Sequence, residues 1–173
     1  FQYDMPPLDR DLVVPRLGFF TEEVRFPAVY EGNMPWVSIC PSEINTMNAD
    51  AVHARGRVLV LGLGLGYYTY MISEKENVDS ITVVEMNEDV INLFQTYILP
   101  QFKNHQKIKI IKANAFEYAQ KSMAKGQFDF VFTDLWHDVS DGIDMYLKMK
   151  LFEKRCPNTI FTYWIEKSIK CYL

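Results

Sequence analysis

Short apolar runs separated by amphipathic stretches recur along the chain from residue 57 onward. Five such runs, rich in β-branched and aromatic side chains, occupy residues 57–62, 80–85, 107–111, 128–134 and 158–164. Each has the length of a strand, and the first, RVLVLG, lacks the apolar–polar alternation that marks a strand with one solvent-exposed face. We therefore predict five strands in a sheet that is covered on both faces, which is typical of a parallel sheet.

The stretches around these runs carry helical periodicity and recognisable helix ends. The first predicted helix begins at Ser42, which can act as its N-cap, and ends at Gly56, which fits the C-terminal cap. Further helices are predicted at 66–74, from Asn87 to Pro100, at 115–125 before Gly126, at 142–155, and after the fifth strand. The predicted inward face of the first helix consists of Ile44, Met47, Ala51 and Val52. That of the third helix consists of Val90, Ile91, Phe94 and Ile98.

Strands that alternate with helices along a chain form a parallel sheet with right-handed crossovers. The predicted fold class is therefore α/β, a Rossmann-like, mostly parallel sheet with helices on both faces. Only a short helix follows the fifth strand, so the fold is expected to be truncated there. We divide the chain into an N-terminal arm or small hairpin, 1–41, and a Rossmann-like cofactor-binding domain, 42–173. Six of the eight prolines lie in the arm, where a hairpin or edge strand is expected around 18–30.

The composition narrows the class of protein without identifying a site. Hydrophobic residues make up 49% and charged residues 23% of the chain, values typical of a globular protein. The net charge of −4 argues against nucleic acid as a partner. Three cysteines without metal-binding spacing, and no apolar run of membrane-spanning length, predict a cytoplasmic protein without a membrane partner.

The turn after the first strand of the sheet, residues 62–66, is the most informative segment of the chain. Glycines let the backbone turn sharply and approach a ligand closely, while a following helix offers free N–H groups. Gly62, Gly64 and Gly66 are therefore candidate cofactor-binding residues, although tight packing of a helix on a strand also favours glycine. A dinucleotide-binding turn has its third glycine one place later, where this chain has Tyr67.

Glu85 ends the second predicted strand, 19 residues after Gly66. A carboxylate at this place can accept hydrogen bonds from both hydroxyls of a ribose. The alternative is an acid at a strand end that only contacts solvent. We treat Glu85 as a candidate cofactor-binding residue.

The stretches VLVLGLGLGYY and ITVVEMNEDVINLF resemble the glycine motif and the acidic-loop motif of the class I S-adenosylmethionine-dependent methyltransferase superfamily. Within that superfamily the sequence is similar to spermidine synthase-like proteins, and the resemblance covers roughly residues 42–165. It implies that S-adenosylmethionine is the cofactor, that Glu85 holds its ribose, and that Met86 packs against its adenine.

The resemblance extends to the segment after the third strand. Asn114 stands where the family commonly has an Asp that receives the adenine amine, and the backbone amide of Ala115 is implied to reach the adenine ring. The side-chain oxygen of Asn114 can still accept a hydrogen bond from the amine. Asn114 can equally be the N-cap of the next helix, with Glu117 completing a capping box.

The segment after the fourth strand, residues 134–138, falls where the family places substrate-facing residues. Asp134 matches the first acid of the catalytic segment of aminopropyltransferases, whereas His137 does not match the second. Asp134 is the candidate catalytic residue, able to orient an acceptor amine or to take its proton. Nearby acids suit a cationic acceptor, although one of them, Asp141, also fits a helix N-cap. We predict no metal site, because carboxylates and one histidine without fixed spacing define no coordination geometry.

Residues 35–43 are predicted either to pack across the sheet as an arm or to close over the cofactor as a lid that carries Trp36 and Glu43. The leading function is methyl transfer from S-adenosylmethionine to a small-molecule acceptor. Two alternatives stay open: aminopropyl transfer of the spermidine synthase type, from decarboxylated S-adenosylmethionine, and a non-catalytic S-adenosylmethionine-binding domain acting as a sensor or in a homo-oligomer. Tyr67 argues against an NAD-dependent oxidoreductase.

Overall fold

The structure of the chain, a computed structural model, describes residues 20–123 and 127–173. Strands β1 (Ala28–Glu31) and β2 (Met34–Ser38) form an antiparallel hairpin, and helix α1 (Pro41–Ala51) leads from the hairpin to the main sheet. Residues 1–19 of the predicted arm and Gly126, the predicted end of the fourth helix, lie outside the described residues.

The five predicted strands form one parallel sheet. They are β3 (Gly56–Leu61), β4 (Val78–Glu85), β5 (Ile108–Lys112), β6 (Phe130–Thr133) and β7 (Ile160–Tyr163). Their spatial order is β5-β4-β3-β6-β7. Strands β4 and β5 therefore lie on one side of β3, and β6 and β7 lie on the other. The predicted Rossmann-like α/β class is confirmed. The carboxyl ends of β3 and β6 flank the switch point of the sheet, where open parallel sheets bind ligands.

Helices connect the strands of the sheet. They are α2 (Tyr67–Ser73), α3 (Glu88–Leu93), α4 (Ala115–Lys121), α5 (Val139–Glu153) and α6 (Glu166–Lys170). A π-helical turn, Phe94–Ile98, and a 3-10 turn, Leu99–Gln101, continue α3, and a second 3-10 turn, His105–Lys107, precedes β5. Among the described residues, no helix is both long enough and apolar enough to cross a membrane.

Two apolar clusters pack on opposite faces of the sheet, because successive side chains of a strand point to opposite faces. On β3, Val58 and Val60 belong to the cluster around Phe94, while Leu59 and Leu61 belong to the other cluster. All five side chains are buried. The central strand is thus covered on both faces, as its uninterrupted apolar run predicts.

The N-terminal part of the fold differs from the prediction. The hairpin lies at 28–38 rather than around 18–30. Helix α1 has Cys40 as its N-cap instead of Ser42, because the Glu43 carboxylate accepts a hydrogen bond from the Cys40 amide and fixes this end of the helix.

Val52 and Gly56 also have positions other than those predicted. Helix α1 ends at Ala51, which leaves Val52 67% exposed instead of on the apolar face. Gly56 is the first residue of β3 and not a helix cap. Its φ is +66°, and a Cβ there would lie 2.6 Å from Oδ2 of Asp129. The close approach of the chain that enters β6 therefore requires this glycine.

Helix α5 begins at Val139 rather than at 142, and its N-cap is Asp138 instead of Asp141. The Asp138 carboxylate accepts from the Ser140 amide, and the Asp141 carboxylate accepts from the Asp138 amide at 3.0 Å. This reciprocal pair is a capping box, which places Asp141 inside the first turn. Pro100, predicted as the stop of the third helix, lies within the 3-10 turn that continues it, at a position where its missing N–H breaks no helical hydrogen bond.

Candidate functional site

Three strand ends converge at the switch point of the sheet. The glycine turn follows β3, Glu85 ends β4, and Asp134 follows β6. One cavity at this edge lies against the glycine turn, with Glu43 and Asp134 also in its lining, and two further cavities lie beside it. The fold thus brings most of the candidate residues together from segments that are far apart in the sequence.

Two of the glycines of the turn, Gly62 and Gly66, are required by the protein's own packing. Gly62 has φ +98°, and a Cβ there would lie 1.9 Å from the carbonyl oxygen of Asp134. A Cβ on Gly66, φ +78°, would lie 2.1 Å from the ring of Phe94. Only at Gly64 is the neighbour a side-chain tip, since its Cβ would lie 3.3 Å from Cγ2 of Val37. Packing therefore accounts for Gly62 and Gly66, and ligand approach to the turn stays a prediction.

The Glu85 carboxylate links the glycine turn to the start of α3. Its Oε2 accepts from the backbone amide of Leu63 at 3.0 Å, and its Oε1 accepts from the amides of Met86 and Asn87, both at 2.8 Å. Glu85 is therefore not an acid that only contacts solvent. Three backbone donors hold the carboxylate in one orientation at the end of β4.

The first of the two further cavities, which we call the β4–β5 cavity, lies beside the ends of these two strands. Its polar side chains are Glu85 and Asn114, which line it together with several apolar side chains. The described lining residues are Gly62, Val84, Glu85, Met86, Ala113, Asn114, Ala115, Phe116, Leu135 and Met145. A largely apolar slot with a few oriented polar groups has the form of a small-molecule site.

Asn114 has the predicted role of a helix cap and also lies in this cavity. Its Oδ1 accepts from the amides of Phe116 and Glu117, at 3.0 and 3.2 Å. The predicted capping box is absent here, because the Glu117 carboxylate pairs instead with Lys121 at 3.0 Å. Ala115 begins α4 beside Asn114 and is buried.

The second cavity, which we call the β3–β6 cavity, contains all three tryptophans of the chain. Its described lining residues are Trp36, Val37, Ser38, Glu43, Met47, Asp134, Trp136, His137 and Trp164. The Trp164 indole donates to Oγ1 of Thr46 at 3.0 Å, and the Trp136 indole donates to the carbonyl of Trp164 at 3.3 Å. No lysine or arginine is among these lining residues, so the cavity combines aromatic walls with negative charge.

Asp134 is the acid at the base of this second cavity. Among the described residues, no hydrogen-bond donor contacts its carboxylate, so it is not tied to neighbouring backbone amides. Burial, with smaller contributions from the Glu43 and Asp50 carboxylates, raises the pKa of Asp134 to about 7, while His137 acts in the opposite direction. A carboxyl group with this pKa changes its protonation state near neutral pH and can act as a general base.

Segment 36–43 contributes Trp36, Val37, Ser38 and Glu43 to the lining of the second cavity, a placement that the arm and the lid interpretations both allow. Glu43 Oε2 accepts from the hydroxyl of Ser38 at 2.9 Å and from the Cys40 amide at 3.3 Å. Trp36 contacts the His137 ring edge-on, with 6.1 Å between ring centroids. Trp36 and Glu43 therefore face the same space as Asp134.

The remaining acids of the predicted rim have structural roles. Asp141 accepts from the His137 amide and from His137 Nδ1, the latter at 3.0 Å, and Asp138 caps α5. Among the described residues, no group of three or more His, Cys, Asp or Glu side chains is arranged to hold a metal.

Two contributors to the site were missed at the sequence level. Trp164 follows the fifth strand, so the rule that ligands bind at carboxyl ends of strands could have drawn attention to it. Asp50 carried no signal, because it is an ordinary polar residue near the C-terminal end of an amphipathic helix. Burial, followed by the Glu166 carboxylate, raises the pKa of Asp50 to about 6. Its charge reaches Asp134 only through the packing of α1 on the sheet.

Comparison with known families gives one match. The family model described as the spermine/spermidine synthase domain matches residues 42–162, which include both cavities' strand ends. No curated protein matches the chain.

Solved structures share the fold at low sequence identity. Spermidine synthase from Thermotoga maritima aligns with a TM-score of 0.53 and 17% identity, covering 78% of this chain and 51% of that one. A spermidine synthase in complex with the transition-state analogue AdoDATO aligns at 0.52 and 18%, covering 78% and 50%. A conserved hypothetical protein from Streptococcus pyogenes aligns at 0.50 and 18%, covering 66% of each chain. The chain spans about half the length of the two spermidine synthases.

Proposed function

The chain belongs to the spermine/spermidine synthase domain family, and from this premise we propose that it transfers an aminopropyl group from decarboxylated S-adenosylmethionine to a small amine. The observation that carries the proposal is the pair of carboxyl groups, Glu43 and Asp134, in the lining of the β3–β6 cavity, where no described lining residue is a lysine or an arginine. Aminopropyl transfer, an alternative at the sequence level, thus takes precedence over methyl transfer.

We assign the nucleoside part of the donor to the β4–β5 cavity. Oε2 of Glu85 accepts one backbone hydrogen bond and can accept another from a ribose hydroxyl, whereas Oε1 already accepts two. Met86 is 64% exposed at the rim, a surface that a purine ring would cover. Asn114 and Ala115 follow β5, the strand next to β4, and line the same slot, so we assign the base to them.

The tail of the donor decides between the two transfer reactions. S-adenosylmethionine carries an ammonium and a carboxylate on its tail, whereas the decarboxylated donor carries only the ammonium. A carboxylate placed beside Glu43 and Asp134 would lose solvation and gain no cationic partner among the described lining residues. An ammonium gains both the acidic side chains and the faces of the tryptophans. The cavity therefore favours the decarboxylated donor and a cationic acceptor.

Aminopropyl transfer needs little from the protein beyond alignment and removal of a proton. The acceptor nitrogen attacks the aminopropyl carbon next to the sulfonium; a C–N bond forms, the C–S bond breaks, and its electron pair stays on sulfur in methylthioadenosine. The acceptor must be an uncharged amine when it attacks. In this proposal Asp134 orients the acceptor and takes its proton, and the indoles of Trp36 and Trp136 hold it in line.

Product analysis tests the proposal directly. The purified chain is incubated with a panel of mono- and diamines and either decarboxylated S-adenosylmethionine or S-adenosylmethionine. We expect methylthioadenosine and an aminopropylated amine from the decarboxylated donor only. Release of S-adenosylhomocysteine from the other donor would contradict the proposal, and donor binding without either product would support a non-catalytic domain.

Methyl transfer from S-adenosylmethionine is the second candidate function. The observation that favours it is His137, which stands where aminopropyltransferases have a second acid and whose ring is held by Asp141 at 3.0 Å. With one acid fewer, the site has less negative charge to hold a polyamine. The same product analysis separates the two reactions, because each releases a different thioether nucleoside.

A further inference from the structure

The turn between β7 and α6 has a strained backbone. Ile165, the residue that precedes α6, has φ +48° and ψ +32°, which lie in the left-handed region. Among the described residues it is the only one other than glycine with a positive φ. A β-branched residue is disfavoured in this region, because its Cβ crowds the following carbonyl oxygen. Such a conformation persists only where the surrounding structure fixes it.

Trp164, which precedes Ile165, is fixed by hydrogen bonds to three different segments. Its backbone amide donates to the carbonyl of Thr133 on β6 at 2.9 Å. Its indole donates to Oγ1 of Thr46 on α1 at 3.0 Å, and its carbonyl accepts from the Trp136 indole at 3.3 Å. Trp164 therefore joins α1, β6 and the segment after β6 in the wall of the β3–β6 cavity.

Glu166, which follows Ile165, is fixed on the other side of the turn. Its Oε1 accepts from the hydroxyl of Tyr146 on α5 at 2.8 Å and pairs with Nζ of Lys170 at 3.0 Å. The side chain of Ile165 itself packs against the apolar cluster that contains Trp136. These contacts offset the strain at Ile165, and together they fix the direction in which the chain leaves β7.

We propose that Ile165 is a positioning residue, whose side chain anchors the strained turn and thereby holds the Trp164 indole in the wall of the β3–β6 cavity. Outside the left-handed region, residue 165 would direct the chain differently, and the contacts of Trp164 and of Glu166 would not both persist. The effect on the acceptor amine rests on the proposed function. The placement of the indole does not, so the two are tested separately.

A fixed indole wall contributes to acceptor binding more than to the transfer step. A cation is attracted to an aromatic face before the reaction as well as during it, and such uniform binding changes KM without changing kcat. Loss of the wall should therefore raise the KM of the acceptor. The affinity for the donor nucleoside should not change, because neither Trp164 nor Ile165 is among the described lining residues of the β4–β5 cavity.

Substitutions at both ends of β7 separate anchoring from general loss of packing. Ile165→Gly removes the anchor and frees the backbone, whereas Ile165→Leu keeps an apolar side chain without a β-branch. Ile160 provides the matched control at the opposite end of the strand. It is 39% exposed and is not among the lining residues described for the cavities.

Thermal unfolding tests the strain. Ile165→Ala and Ile165→Gly both remove the anchor, but only alanine keeps a Cβ that is disfavoured at a positive φ. We expect Ile165→Gly to melt at a higher temperature than Ile165→Ala. At position 160, where the backbone is an ordinary strand, we expect the reverse order for the same two substitutions. A lower melting temperature for Ile165→Gly than for Ile165→Ala would overturn the assignment of strain.

Hydrogen exchange of the Trp164 indole N–H tests the positioning without any substrate. The signal is followed by NMR and assigned with Trp164→Phe. Ile165→Gly should exchange this proton at least about ten-fold faster than the wild type, because the bond to Thr46 is no longer held. Ile165→Leu and Ile160→Gly should keep the wild-type rate. Ile165→Asn, which also adopts the left-handed region, replaces Ile165→Gly if that variant does not fold.

Kinetics then link the wall to the acceptor. Ile165→Gly should raise the acceptor KM about ten-fold, with kcat and donor affinity within a few-fold of the wild type. A wild-type exchange rate in Ile165→Gly, or an unchanged KM despite faster exchange, would overturn the role of Ile165. Equal losses in kcat and donor affinity would show only general damage and would also overturn it. Faster exchange in a chain that transfers nothing would overturn the proposed function and support the placement of Trp164 by Ile165.

Discussion

Replacing Asp134 with Asn should stabilise the protein at alkaline pH while it removes the proposed base. The pKa of Asp134 is raised from its ordinary value of 3.8 to about 7 in the folded protein. Between these two values the native state holds a proton that the unfolded chain has released. The free energy of unfolding therefore falls as the pH rises from about 4, and the loss is complete above about pH 7.

The size of the effect follows from the pKa difference. About three pKa units correspond to about 4 kcal/mol, and this is an upper limit because the side chain is only half-buried. We expect Asp134→Asn to be more stable than the wild type by about 2–4 kcal/mol near pH 8 and by less than about 1 kcal/mol near pH 4, where the wild-type carboxyl group is neutral. Turnover should fall by about 10²–10⁴, with donor affinity changed by only a few-fold.

Urea unfolding of both proteins at several pH values between about 4 and 8 measures the difference. Asp129→Asn is the control, since hydrogen bonds from Arg57 lower the pKa of Asp129 to about 2, which reverses the sign. The ion pair of Asp129 stabilises the fold at pH values above the ordinary pKa of an aspartate, and this stabilisation is lost only in strong acid. The contribution is small because the carboxylate is 45% exposed. An Asp134→Asn protein that is less stable than the wild type at alkaline pH, or equally stabilised at every pH, would refute the reasoning.

Three further predictions concern the donor site. Glu85→Ala should weaken donor binding by about 1.5–3 kcal/mol and also lower the free energy of unfolding by about 2–4 kcal/mol, because three backbone amides lose their acceptor. Calorimetry measures the binding and urea unfolding measures the stability, with the exposed Glu88→Ala variant as the control. Unchanged values for both would make Glu85 a simple surface acid. Gly62→Ala should destabilise the fold by more than about 3 kcal/mol and Gly64→Ala by about 1–2 kcal/mol, because only the Cβ at position 62 would overlap backbone atoms. Equal losses of stability in thermal unfolding would argue against the packing described. Decarboxylated S-adenosylmethionine at ~100 times its dissociation constant should add about 2.7 kcal/mol to stability, so a melting shift no larger than that given by NAD would contradict the donor assignment.

The prediction for Glu85 shows how the structure changed an expectation from the sequence. From the sequence, a carboxylate at the end of this strand predicts ribose binding. It also predicts that removing the carboxylate leaves the stability of the fold unchanged. The structure adds hydrogen bonds to Leu63, Met86 and Asn87, two of which join segments adjacent in the chain while one spans 22 residues. Binding and stability are therefore coupled at this position, because the same oxygens that face the cavity also hold its walls.

The order of strands and helices followed from the sequence because it depends on local patterns. Runs of β-branched residues, glycines in a turn, and asparagines such as Asn87 and Asn114 before a helix act through neighbours within a few residues. The N-terminal part was predicted less well. Its prolines indicate where regular structure is excluded, but strand pairing depends on contacts that no local pattern indicates. The N-cap of α5 was assigned to the wrong one of two acids three residues apart, Asp138 and Asp141, because either can cap and the choice depends on how the chain leaves β6.

The sequence by itself determined the α/β class, the glycine turn, and the set of candidate residues from Gly62 to Asp134. Only the tertiary structure decided the chemistry of the site, because charge, burial and close approach depend on segments that are distant in the chain. The carbonyl of Asp134 meets Gly62, and the ring of Phe94 meets Gly66. The proximity of Glu43 and Asp50 to Asp134, which contributes to its raised pKa, arises only when α1 packs beside β6. No local pattern records these approaches, since each is set by the packing of whole elements against one another.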